Sequence, residues 1–126
     1  MSNAPRTILI VDDDPQILNL VQKMLGSRQA KVLVAPRHSE ALRICEQEPV
    51  HLLISDIVMP EMDGNKLAER VLKLHPEASV LLISGYYKET PLAAKSSRVK
   101  FLRKPFFPSQ LIERLRELLP EDPTSS

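Results

Sequence analysis

Four short apolar runs do most to limit what this chain can fold into. They are Ile8-Leu9-Ile10-Val11, Val32-Leu33-Val34, Leu52-Leu53-Ile54 and Val80-Leu81-Leu82-Ile83, with a weaker fifth at Val99-Lys100-Phe101-Leu102. Together they are rich in β-branched residues, and the first four are apolar at successive rather than alternate positions. Successive side chains of a strand point to opposite faces, so a run of this kind is a strand buried on both faces.

The stretches between the runs carry helical spacing. Ile17, Leu18, Val21, Met24 and Leu25 share one side of a first helix, with Asp14 as N-cap and Pro15 at the first helical position. A second helix starts near Ser39 and carries Ala41, Leu42 and Cys45. A third holds Leu67, Val71 and Leu74 and stops at His75-Pro76. A last one runs from Pro108 through Leu111, Ile112, Leu115, Leu118 and Leu119 to Pro120. Between Thr90 and Ser97 there is room for one more short helix. Strands alternating with helices predict an α/β fold: a doubly wound, five-stranded parallel sheet with helices on both faces. Right-handed crossovers then put functional groups at the carboxyl ends of the strands, near a topological switch point.

A chain of 126 residues, 43% apolar and 26% charged, suits a single domain with a self-sufficient core. Residues 1–6 read as a disordered N-terminal extension, 7–119 as the domain, and 120–126 as a tail or the start of a linker. The net charge of +1 is spread along the sequence, without the basic stripe of a nucleic-acid binder. No apolar run approaches the roughly 18–20 residues of a membrane span. The single cysteine, Cys45, excludes an internal disulfide and reads as a small core residue. An unpaired thiol fits a cytoplasmic location.

The polar residues that follow the apolar runs form a pattern of their own. Asp12, Asp13 and Asp14 end the first strand, Asp56 the third and Ser84 the fourth, and Lys104 lies just past the fifth. In a parallel sheet these ends open onto one edge, gathering carboxylates, a hydroxyl and an ammonium. Crowded carboxylates repel one another, and oxygen-only ligands suit Mg²⁺. A carboxylate beside such a metal can attack a phosphoryl group and become an acyl phosphate. Lys104 offers a point charge for phosphate oxygens, and Ser84 a hydrogen-bond donor. Taken singly, each residue also has a plainer role. Asp14 is best read as an N-cap, Phe101 as a core aromatic, and His38, His51 and His75 as structural or solvated residues.

Four segments in this order resemble the successive signatures of response regulator receiver domains of two-component systems. They are Ile8–Pro15, Asp56-Ile57-Val58-Met59-Pro60-Glu61-Met62-Asp63-Gly64, Ser84-Gly85 and Lys104-Pro105-Phe106. The resemblance spans Thr7 to Leu119 and implies a flavodoxin-like fold. It implies that Asp56 accepts a phosphoryl group and that Asp13, Asp56 and the Val58 carbonyl bind Mg²⁺, with Asp12 acting through a water. It further implies that Lys104 contacts the phosphoryl oxygens, that Ser84 moves toward them and that Phe101 turns inward with it. Val58 and Tyr86 would flank the mouth of the site and slow self-dephosphorylation. The implied partners are a histidine kinase or histidine phosphotransfer protein, and a downstream protein or attached output domain. No direct contact with nucleic acid or membrane is implied, and the domain is a switch rather than an enzyme acting on an external substrate.

The Ser84-Gly85-Tyr86 and Phe101–Phe106 segments are similar to receivers attached to hybrid histidine kinases. The spacing from Ser84 to Lys104 is slightly shorter than in many receivers, which puts in question the face formed by the helix before the last strand, that strand and the last helix. Other readings remain. One is a degenerate receiver acting only as a protein-interaction module. Another is a haloacid-dehalogenase-like phosphatase using Asp12, which Pro15 disfavours. A third is a flavin- or nucleotide-binding module, which three aspartates after the first strand oppose.

Overall fold

The computed structural model describes residues 6–12, 14–25, 30–58, 63–85 and 97–118. Five strands and four helices occur among them: β1 (Arg6–Val11), α1 (Pro15–Leu25), β2 (Ala30–Val34), α2 (His38–Gln47), β3 (Leu52–Asp56), α3 (Gly64–Leu74), β4 (Ser79–Ser84), β5 (Val99–Arg103) and α4 (Pro108–Leu118). The expected short helix between Thr90 and Ser97 falls almost entirely outside the described residues, as does the expected tail. Strand β1 begins at Arg6, one residue before the expected start of the domain.

All strand pairings are parallel, in the order β2-β1-β3-β4-β5. This is the expected doubly wound sheet. The alternation of side chains divides its core into two layers. Ile8, Ile10, Leu52, Ile54, Leu81 and Ile83 face Ile17 and Val21 of α1 and Leu111, Leu115 and Leu118 of α4. Leu9, Val11, Leu53, Val80 and Leu82 face Ala41 and Cys45 of α2 and Leu67, Ala68 and Val71 of α3. Burial of each large aliphatic side chain in these layers contributes on the order of 1.5–3 kcal/mol.

Two expected core positions differ from the pattern. Leu74 is 46% exposed because α3 ends there and its last residue no longer faces the sheet. Val34 is 40% exposed because it ends β2, an edge strand with a neighbour on one side only.

Histidines tie the lower parts of the fold together. The Nδ1 of His51 accepts a hydrogen bond from the Thr7 N–H, at 2.9 Å. The His51 main chain donates to the Thr7 carbonyl and accepts from the Ser79 N–H, so this residue joins the starts of β1, β3 and β4. His75 Nε2 lies 2.7 Å from the Cys45 carbonyl; a carbonyl only accepts, so Nε2 carries the proton of a bond from the end of α3 to α2.

Burial, with a smaller push from Glu46, raises the Cys45 thiol from an ordinary 9.0 to about 11. The folded state therefore holds this proton more tightly than the unfolded chain. The associated stability is fully present below about pH 9 and declines as pH rises toward 11. Near pH 8 the thiolate is about 100-fold scarcer than in an ordinary cysteine. Alkylation by iodoacetamide in native buffer should accordingly run at least ~100-fold slower than in denaturant, followed as mass increase. Labelling within a few-fold of the denatured rate would contradict the burial of this thiol.

Candidate functional site

Main-chain hydrogen bonds hold the upper ends of β3, β4 and β5 in fixed register. The Ile57 N–H donates to the Ile83 carbonyl at 3.0 Å, and the Lys104 N–H to the Ser84 carbonyl at 3.0 Å. The strand that ends in Asp56, the strand that ends in Ser84 and the residue that carries the ammonium are thus joined through backbone alone. On the other side, β1 pairs with β3 and delivers Asp12 to the same edge. The strand order reverses between β1 and β3, and such a point leaves a crevice at the carboxyl ends.

Side chains then converge. The Lys104 Nζ lies 3.3 Å from Asp56 Oδ2 and 3.7 Å from Asp12 Oδ2. The other oxygen of Asp56 accepts from the Val58 N–H at 3.1 Å, and the other oxygen of Asp12 from the Asp14 N–H at 2.9 Å. The Asp12 side chain is fully buried and that of Asp56 is 18% exposed. Ser84 is buried at the end of β4. Asp14 takes the role of a cap: its carboxylate accepts from the Gln16 N–H, and its carbonyl from the Ile17 and Leu18 N–H groups.

Asp13, Tyr86 and the segment 59–62 lie outside the described residues. Phe101 stands lower on β5, opposite Leu82, half-buried against the layer that faces α2 and α3. Its carbonyl accepts from Arg114 Nε of α4 at 3.4 Å. Val58 is half-exposed just past Asp56.

Burial by itself would lower the Lys104 pKa, but Asp12, Asp56 and Asp14 together outweigh it and raise it above 10.5. Three carboxylates around one ammonium leave the edge short of positive charge. Among the described residues no group of three His, Cys, Asp or Glu side chains is placed to hold a metal ion. The donors that do converge, Asp12 and Asp56, are hard oxygens, and this chemistry fits Mg²⁺ or Ca²⁺ rather than a thiolate- or imidazole-seeking metal.

Two features of the site are not legible in the residue pattern. One is a groove of about 740 Å³ beside Lys104, lined by Ile17, Leu20, Pro105 and Phe106 together with Asp14 and Lys23. The other is the contact of Gly64 with the Asp56 backbone. The Gly64 N–H donates to the Ile57 carbonyl at 2.8 Å, and a Cβ at this position would stand 2.5 Å from the Asp56 carbonyl oxygen. Gly64 matches a motif letter in the sequence, but only the folded chain brings it against Asp56.

Replacing Lys104 with methionine keeps the length of the side chain and removes the shared counter-charge. Because Lys104 is partly exposed, the expected loss is about 1 kcal/mol rather than that of a fully buried pair. The folded pKa is raised, so this stabilisation is fully present below the unfolded lysine value and is lost as pH rises through the folded one. Urea midpoints of wild type and Lys104→Met should differ equally at pH 7 and pH 9, and the gap should narrow above about 10.5. Equal midpoints at pH 7 would show that the ammonium does not offset the carboxylates.

The arrangement has clear relatives. Residues 8–116 match the model of the response regulator receiver domain family. An uncharacterised 14.6 kDa protein of Leptolyngbya boryana is 40% identical over 119 residues, covering 90% of each chain. A CheY-like receiver domain protein of Methanospirillum hungatei superposes with a TM-score of 0.80 at 30% identity, over 98% of this chain and 100% of its own. The receiver domain of the hybrid histidine kinase CckA does so with a TM-score of 0.70 at 34% identity, over 89% and 98%. The chain spans only 27% of the transcriptional regulatory protein GlrR of Escherichia coli (strain K12), at 34% identity over 94% of this chain. With its parallel sheet in the order β2-β1-β3-β4-β5 and nearly its whole length matched, the chain belongs to the response regulator receiver domains of two-component systems.

Proposed function

We propose that Asp56 is the phosphoacceptor of this receiver, taking a phosphoryl group from a phosphohistidine of a histidine kinase or histidine phosphotransfer protein. The observation that carries this reading is the position of the Lys104 ammonium, 3.3 Å from one Asp56 oxygen and 3.7 Å from Asp12. An Asp56 oxygen bonds to phosphorus as the phosphorus–nitrogen bond of the donor breaks, and the bonding pair leaves on the imidazole nitrogen. Lys104 turns from its carboxylate partners to the new phosphoryl oxygens. Ser84, at the end of the neighbouring strand, donates its hydroxyl to one of them. Bound Mg²⁺ would be held by Asp13, Asp56 and the Val58 carbonyl, with Asp12 acting through a water, and would neutralise the phosphoryl charge.

Loss of the Lys104–Asp56 pair also gives the modification a mechanical outlet. The Lys104 main chain is bonded to Ser84, so a shift at either residue passes into β5 and toward Phe101. We assign the switch to Ser84 and Phe101 on this basis, with the signal passed to a downstream protein or an attached output domain. The groove beside Lys104 leaves one flank of the site open to a partner. Phosphotransfer from a kinase phosphohistidine would make the cytoplasm its place of action.

Incubation with phosphoramidate and Mg²⁺ should add one phosphoryl group, seen by intact-mass spectrometry as a base-labile increment. Asp56→Asn should abolish it, EDTA should suppress it, and Lys104→Met should slow it by at least ~10-fold, about 1.4 kcal/mol of barrier. Undiminished labelling of Asp56→Asn would refute the assignment. Absence of labelling in the wild type would leave a receiver that acts only through protein contacts.

A further inference from the structure

We propose that Ser55 and Gly64 are positioning residues that clamp the main chain of Asp56 and so set the aim of its carboxylate. The inference rests on Asp56 being the phosphoacceptor and names what holds it in place. Ser55 is fully buried, and its hydroxyl donates to the Asp56 carbonyl at 2.9 Å. From a neighbouring element, the first residue of α3 packs against the same peptide. A Cβ built on Gly64 would meet the Asp56 carbonyl oxygen at 2.5 Å, the Ile57 Cα at 2.8 Å and the Asp56 carbonyl carbon at 3.2 Å. All three are backbone atoms, which cannot swing aside as a side chain can.

Glycine stands here for space and not for conformation, since no described glycine has a positive φ. The Gly64 N–H also donates to the Ile57 carbonyl at 2.8 Å, so the start of α3 is bonded to the chain it presses against. Helix α3 cannot simply retreat, because Leu67, Ala68 and Val71 anchor it in the core. The contact is therefore a fixed stop against the Asp56 carbonyl, the same group that the Ser55 hydroxyl holds.

Any side chain at position 64 needs a shift of about 1 Å to reach ordinary contact, and misplacement of that size can cost up to ~100-fold in a reaction that depends on alignment. The same shift moves the peptide leading to Val58. It should therefore weaken divalent-cation binding as well as slow phosphorylation. A residue that only stabilised the fold would lower the melting temperature and leave both properties unchanged in the folded protein.

The test measures phosphoramidate labelling of Asp56 and the Mg²⁺ concentration that gives half the thermal shift, at a temperature where each variant is fully folded. Gly64→Ala should label at least ~10-fold more slowly than wild type and need several-fold more Mg²⁺. Ser55→Ala, which loses the hydroxyl and adds no bulk, should label about 3-fold more slowly with a cooperative melt. A folded Gly64→Ala with wild-type rate and wild-type Mg²⁺ dependence would overturn the proposal. If Gly64→Ala does not fold, Ser55→Ala decides: slower labelling supports the clamp, and an unchanged rate overturns it. Failure of the wild type to label at Asp56 would instead refute the phosphoacceptor reading, and this inference with it.

Discussion

Burial of both faces of a parallel sheet is the constraint from which the rest of this structure follows. Helices α1 and α4 cover one face and α2 and α3 the other, so within the strands the side chains are apolar almost without interruption. Charged residues are then favoured only where a strand leaves the sandwich, and a polar residue within it, such as Ser55, needs a hydrogen-bond partner. Parallel direction puts every such exit for chemistry on one edge. Asp12, Asp56, Ser84 and Lys104, spread over more than 90 positions of sequence, meet there because their strands all end on that edge.

That edge is rigid in its main chain and unbalanced in its charge. Backbone bonds from Ile57 to Ile83 and from Lys104 to Ser84 fix three strand ends against one another. Electrostatically the site is poised, because a single ammonium serves Asp12 and Asp56 at once, with Asp14 adding a further negative charge nearby. A partly buried ion pair of this kind is weak evidence for stability, since desolvation offsets much of the attraction. Its physical consequence lies elsewhere. Any group that neutralises one carboxylate or competes for the ammonium redistributes the pairing across the edge.

Most of this was legible in the sequence, for reasons that differ from residue to residue. The apolar runs announced strands buried on both faces, and the strand-end positions of Asp12, Asp56, Ser84 and Lys104 followed from them. Leu74 and Val34 departed from the expected pattern because periodicity records which side a residue faces, but not where an element runs out of neighbours. His51 and His75 read only as structural or solvated residues, since their partners are the Thr7 N–H and the Cys45 carbonyl. Backbone partners leave no trace in side-chain identity. Gly64 was visible as a letter of a motif, whereas its reason, a carbonyl 2.5 Å from where its Cβ would stand, exists only after α3 has packed.

The same rigidity constrains how a signal can leave the site. Under the proposed function, charge arrives on Asp56, whose peptide is held by Ser55 and Gly64 and whose strand is paired on both sides. That part of the site yields little. Lys104 is different: it lies at the end of β5, an edge strand with one neighbour, and its side chain is 29% exposed. Under that function, displacement passes from the ammonium into the strand with a single neighbour, β5. Phe101 lies on that path, half-buried, with its carbonyl steadied by Arg114 rather than by another strand. Arg114 in turn pairs with Glu117, which also reaches Lys100 on β5. These contacts are partly exposed, and such pairs typically contribute well under about 1 kcal/mol each. Under the proposed function, an acceptor whose strand is paired on both sides, beside an edge strand paired on one, directs a change at Asp56 toward β5 and α4.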